Sequence, residues 1–152
     1  MPFFLSYARR DSADVERFRS VLEPLLKSCS KFQFGEWMDH QILPGEHWRA
    51  EIERALERSR FGLLLVTPGF LVSDFITARE LPPLLAKTMV VPVALQRVLF
   101  DGTMDLKGLE DRQVFHDSKG RSFDECRAMP ARRDFARDLF TRIVALLEKN
   151  PC

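Results

Sequence analysis

The stretch FGLLLVTPGFLVSDFITARELPPLL, residues 61–85, decides the fold. Its opening, Phe61–Val66, is apolar throughout with no polar alternation, the pattern of a strand buried on both faces of a parallel sheet. Thr67-Pro68-Gly69 carries the turn chemistry that stops such a strand. Ser73 and Asp74 are good helix starters, Phe75 and Ile76 supply the first apolar residues of that helix, and Pro82-Pro83 ends or kinks it. Glu80 falls inside this short helix, just before Leu81. Open α/β sheets gather their ligands beyond the carboxyl ends of the strands, which makes a carboxylate here a candidate for chemistry. The competing reading is a solvated helix glutamate, since Glu is seldom buried.

Toward the N-terminus, Pro2–Tyr7 (PFFLSY) is apolar and aromatic and reads as a buried first strand. A polar loop, residues 8–12, leads into an amphipathic helix on which Val15, Phe18, Val21, Leu22, Leu25 and Leu26 recur at three- and four-residue spacing, ending near Ser28. Phe32–Trp37 (FQFGEW) alternates as a second strand, interrupted by Gly35. Residues 38–47 (MDHQILPGEH) form a loop turning at Pro44-Gly45, and Trp48, Ile52, Ala55 and Leu56 make the next helical stripe, ending near Ser59. Toward the C-terminus, Met89–Leu95 (MVVPVAL) is another apolar strand, whose Pro92 favours a bulge or a place near the sheet edge. Residues 96–125 are irregular, with a weak strand around 113–116, and Asp134–Lys149 is an amphipathic helix carrying Phe135, Leu139, Ile143, Leu146 and Leu147. This alternation argues for a flavodoxin-like α/β three-layer sandwich: a four- to five-stranded parallel sheet in the order 2-1-3-4-5, flanked by helices, with a crevice where the order reverses. The loops after strands 1, 2 and 3 meet there.

Composition narrows the field without choosing within it. At 152 residues the chain is one domain of common size, 45% apolar and 30% charged, with a net charge of +1 that gives no sign of bulk binding to nucleic acid or anionic membrane. No apolar run reaches the roughly 20 residues that span a bilayer, and MPFFLSYARRD is too short and too quickly charged for a signal peptide. Cys29, Cys126 and Cys152 are odd in number and widely spaced, which points to a reduced, cytoplasmic protein. The P-loop and G-x-G-x-x-G patterns are absent, and Thr67-Pro68 stands where a phospho-acceptor receiver needs Asp. His40, His47 and His116 have no paired ligand spacing and read as surface residues, so no metal site is expected.

Three segments taken together resemble the Toll/interleukin-1 receptor (TIR) domain family. FLSYARRD at 4–11 resembles its opening motif, WMDHQILPGEHW at 37–48 its BB loop, and LLVTPGFLVSDFITARELPPLL at 64–85 its third strand and Ser-to-Glu-Leu helix, especially in prokaryotic members; MVVPVAL matches the fourth strand. The likeness covers essentially the whole chain in the right order. It implies one of two roles from different classes. Many plant and bacterial members hydrolyse NAD⁺ at the nicotinamide–ribose bond with a Glu of this helix, which Glu80 matches. Animal receptor and adaptor members are non-catalytic scaffolds for homotypic TIR–TIR contacts.

The resemblance makes NAD⁺ the substrate, with no cofactor, and adds Ser6, Tyr7, Arg9, Arg10, Asp39 and Trp48 as substrate-binding candidates. Tyr7 either stacks on a ring of the ligand or is a core aromatic at a strand end. Arg9 and Arg10 either grip the pyrophosphate or form a solvated loop pair. Asp39 either serves the site or caps its loop, and Trp48 is either a site or a core residue. Ile76 stands where several catalytic relatives have an aromatic, with Phe75 about 100° away around the helix, and Thr67 replaces the usual Ser of Ser-Pro. Ile42, Leu43, Pro44 and Gly45 form an apolar loop tip suited to self-association, in which one copy completes the next one's site and builds open filaments. A constitutive NAD⁺ hydrolase drains its own cell, so residues 1–150 are expected to be an N-terminal effector domain, in keeping with bacterial anti-phage defence. Its sensor would lie beyond residue 152 or on a partner chain.

Overall fold

The computed structural model describes residues 2–35, 37–42, 50, 54, 57–72, 89–99, 101–106, 109 and 114–149, with backbone only for 37–42. Four parallel strands, β1 (Phe3–Ala8), β2 (Trp37–Ile42), β3 (Phe61–Val66) and β4 (Met89–Ala94), form one sheet in the order β2-β1-β3-β4. Among the described residues the helices with defined bounds are α1 (Ser12–Lys27), α2 (Pro68–Val72) and α3 (Met129–Lys149). The chain has the flavodoxin-like α/β fold expected from its strand–helix alternation.

Both faces of the sheet are covered, which is why its central strands lack polar alternation. One face presents Phe3, Leu5, Tyr7, Phe61, Leu63, Leu65, Val91 and Val93 to α1 (Val15, Phe18, Leu22, Leu26) and α3 (Phe135, Leu139, Ile143, Leu147). The other presents Phe4, Leu64, Val66 and Ala94 to Phe70 and Leu71 of α2 and to Val98, Leu109 and Val114. Every residue of β1 and β3 is buried. The aromatic ladder behind β1 is tight, with Phe3 stacked on Phe61 at 4.8 Å between ring centroids and Phe34 edge-on to both.

Four expectations need correction. The second strand is Trp37–Ile42 and not Phe32–Trp37: residues 32–35 are irregular, and their aromatics pack against the core from outside the ladder. The strand lies at the sheet edge, where polar Asp39, His40 and Gln41 are tolerated, so its sequence reads as a loop. Second, Thr67-Pro68-Gly69 begins a helix instead of a turn. Thr67 Oγ1 accepts the Phe70 N–H at 2.9 Å as an N-cap, and Pro68 occupies the first helical position, where a missing N–H costs nothing. Third, α3 starts at Met129, five residues before Asp134, because its first turn buries only part of Ala131 and Arg132 and offers no repeating apolar stripe. Fourth, the weak strand around 113–116 is reduced, among the described residues, to one parallel bridge between Val93 and Phe115.

Pro92 is harmless where it sits. Its carbonyl accepts the Phe115 N–H at 2.7 Å, on the side of β4 away from β3, so its missing N–H removes no bond to β3. Residues 50, 54, 57 and 58 are helical and exposed, whereas Trp48, Ile52, Ala55 and Leu56 of the expected stripe lie outside the described residues. Among the described residues, no helix is long and apolar enough to cross a membrane. Cys29 and Cys126 are free thiols.

Candidate functional site

The carboxyl ends of β1, β3 and β4 converge on a polar knot. β1 runs into a single 3-10 turn, Arg9–Asp11, that leaves Arg9 and Arg10 exposed and turns Asp11 inward to 7% exposure. β3 ends at Val66, whose carbonyl accepts the N–H groups of both Leu95 and Gln96 at 3.1 and 3.2 Å, drawing the end of β4 against it. Thr67, fully buried, donates its hydroxyl to Asp11 Oδ2 at 2.6 Å. Gln96 Nε2 donates to Asp11 Oδ1 at 3.2 Å and to Asp14 Oδ2 at 2.8 Å. Asp11 thus joins the chain leaving β1 to the chains leaving β3 and β4.

Arg10 reaches across the knot. Its stem lies over Gly69 in the first turn of α2, so close that a methyl group there would stand 2.7 Å from Arg10 Nε. The guanidinium is thereby held beside the start of the segment that continues in sequence to Glu80. A pair of arginines on one turn, beyond the carboxyl ends of parallel strands, is suited to an anionic ligand such as a pyrophosphate.

The other candidates separate. Ser6 is fully buried on the α2 face of β1, and its hydroxyl has no hydrogen-bond partner among the described residues. Tyr7 points to the opposite face, 3% exposed within the core under α1 and α3. Asp39 pairs with Leu5 and Ile42 with Ala8 in the β1–β2 register, which makes Ile42 the last residue of a strand and not part of a loop tip. Glu80, Leu43, Pro44, Gly45 and Trp48 lie outside the described residues.

Asp11, Asp14 and Gln96 escaped the sequence reading. Thr67 and Gln96 each follow directly on an apolar run, and a first polar residue after a buried strand is a usable signal. Nothing local in Asp11 distinguishes it from the exposed Arg9 and Arg10 beside it. Two buried groups with shifted titration, Cys126 and Asp117, lie beyond the end of β4, in a loop tied to it by the Asp124 N–H donating to the Leu95 carbonyl at 2.9 Å. There burial pushes the Cys126 thiol up. Burial also raises Asp117, but the Arg121 and Lys119 N–H groups and the Arg121 guanidinium outweigh it and hold that carboxyl below its ordinary value.

A family model described as "TIR domain" matches residues 3–128. None of the curated proteins matches the chain. The matched stretch stops just before α3, although α3 contributes Phe135, Leu139, Ile143 and Leu147 to the same core as β1 and β3.

Proposed function

The chain belongs to the TIR domain family, and we propose that it is an NAD⁺ hydrolase that cleaves the nicotinamide–ribose bond. The observation carrying this reading is the placement of Arg10 across Gly69. It sets a cation for the pyrophosphate against the start of the one segment whose sequence bears the Glu-Leu pair, Glu80-Leu81. In NAD⁺ the leaving group is already a cationic pyridinium. The C–N bond breaks with its electron pair going to the ring, and neutral nicotinamide departs without a proton, so no general acid is needed. The ribose left behind is oxocarbenium-like. One carboxylate, Glu80, stabilises that charge or traps it covalently. Water then adds at the anomeric carbon, displacing the Glu80 carboxylate where it is bonded there, and loses a proton, giving ADP-ribose; capture by an adenine nitrogen instead gives a cyclic isomer. Arg9 and Arg10 hold the pyrophosphate, whereas Ser6, fully buried, lies beneath the site and does not touch the substrate.

TIR domains commonly self-associate. In this reading assembly through the segment after Ile42 switches the enzyme on, under a sensor region or partner chain, in anti-phage defence. The second reading, a non-catalytic TIR scaffold, is favoured by Ile76 in place of an aromatic and by the burial of Tyr7 away from Ser6.

Chromatographic release of nicotinamide at high protein concentration decides between them. Glu80→Gln keeps the shape and removes the charge, and is expected to lower the rate by orders of magnitude. Equal release by wild type and Glu80→Gln establishes the scaffold.

A further inference from the structure

We propose that Asp11 is a positioning residue, which through Thr67 fixes the first turn of α2 against the Arg9–Arg10 turn; its catalytic consequence rests on the hydrolase reading above. Three elements with no sequence proximity meet at this one carboxylate. Its Oδ2 takes the Thr67 hydroxyl at 2.6 Å, and that same hydroxyl oxygen accepts the Phe70 N–H at 2.9 Å. Its Oδ1 takes one N–H of the Gln96 amide, whose other contact is Asp14 Oδ2 at 2.8 Å. The relay Asp11–Thr67–Phe70 therefore runs from the arginine turn to the cap of α2 with each donor and acceptor used in one direction.

The chemistry of the knot demands an acceptor-only group at position 11. Thr67 is fully buried, so its hydroxyl proton needs an acceptor within the knot, which Asp11 Oδ2 supplies. Gln96 sits between two carboxylates and so must present its NH₂, because its carbonyl would face oxygens there. An amide at position 11 would turn its own NH₂ either toward the Thr67 proton or toward the Gln96 NH₂, placing donor against donor. With Asp11 at 7% and Thr67 at 0% exposure, water is poorly placed to repair such a conflict. The start of α2 then loses its anchor to the turn that follows β1.

The experiment compares Asp11→Asn, the isosteric Thr67→Val and the hydroxyl-retaining Thr67→Ser with wild type. It uses amide hydrogen exchange, thermal unfolding and steady-state NAD⁺ kinetics. Asp11→Asn and Thr67→Val are expected to speed exchange at Phe70 and Leu71 at least tenfold while amides of β3 and α3 stay protected. The same two variants are expected to lower kcat about tenfold with KM nearly unchanged, because the bound substrate is held but misaligned. Thr67→Ser is expected to behave as wild type in both readouts. If Asp11→Asn does not fold, Thr67→Val tests the same link without a change of volume. Unchanged Phe70 exchange in Thr67→Val, or reduced unfolding temperature with wild-type kcat, overturns the positioning role alone. A wild type that turns over no NAD⁺ overturns the hydrolase reading and with it the catalytic consequence, and in that case faster exchange in Asp11→Asn still establishes the structural link.

Discussion

The ring of Phe4 on β1 fills the space that a side chain at Gly62, its register partner on β3, would occupy. A methyl group at position 62 would overlap Phe4 Cδ1, Cε1 and Cζ, and Phe4 is fully buried among Leu64, Val66 and Phe70, so the ring has little room to yield. Gly62→Ala, although it improves strand propensity, is expected to destabilise the protein by about 1–3 kcal/mol. Gly62→Ala combined with Phe4→Leu should recover part of that loss, which denaturant unfolding of the two variants measures. An unaltered midpoint for Gly62→Ala contradicts the packing.

Gly69 poses the opposite case. The atoms a methyl group would meet there, Arg10 Nε at 2.7 Å and Cδ at 3.0 Å, belong to a flexible side chain of an exposed residue. Gly69→Ala should keep or slightly raise stability, since Ala is the better helix former, while displacing the guanidinium. For the proposed reaction it is expected to raise the KM for NAD⁺ roughly tenfold, as is Arg10→Ala, the scale of a lost charge-assisted hydrogen bond. A variant with wild-type KM removes Arg10 from the substrate site.

The buried carboxylate Asp117 predicts a pH dependence. It accepts the Arg121 N–H at 2.8 Å, the Lys119 N–H at 3.0 Å and Arg121 Nε at 2.7 Å. Burial alone raises it, but these donors prevail and its folded pKa is lowered. A carboxyl depressed on folding stabilises the protein above its unfolded value of about 3.9, and that stability disappears as pH falls through the folded pKa. Asp101, held down by Thr103, and Glu125, held down by the Ser122 N–H, share the slope. Asp117→Asn is expected to cost roughly 1–3 kcal/mol at neutral pH and to flatten part of the acid limb. Urea unfolding from pH 2 to 7 reads both, and an acid limb as steep as that of wild type rejects the assignment.

Assembly predicts a concentration dependence. Leu43 follows directly on Ile42, the last residue of the edge strand β2, and a charge placed there opposes an apolar contact between copies. Specific activity of the wild type is expected to rise steeply with protein concentration. Leu43→Asp is expected to stay low throughout, with an unchanged circular dichroism spectrum. Full wild-type activity at nanomolar protein would mean that assembly is not the switch.

Much of the fold was legible because burial writes itself into composition. β1, β3 and β4 lie within a residue or two of their expected bounds, and α1 ends at Lys27 beside the expected Ser28, since each buries a continuous run or a regular stripe. Strand β2 was misplaced because an edge strand needs no apolar signal, while the aromatics before it, Phe32 and Phe34, imitate one from an irregular segment. The start of α2 was hidden by Thr67-Pro68-Gly69, where the same three residues serve a turn or an N-cap. The choice depends on whether the Thr67 hydroxyl finds Phe70, as it does here.

The sequence by itself determined the α/β alternation, the buried central strands, the kinship with TIR domains and Glu80 as the residue to test. Those properties are local: they depend on period, on composition and on motifs read along the chain. The tertiary structure alone decided that Tyr7 packs beneath α1 and α3, so that Ser6 falls on the α2 side of the sheet, and that Arg10 lies over Gly69. It alone brought Asp11 to Thr67 and Gln96, across 56 and 85 residues of chain. Such partnerships leave no periodic trace, because a hydrogen bond between distant residues is set by the register of parallel strands and the path of their crossovers, which no single segment encodes.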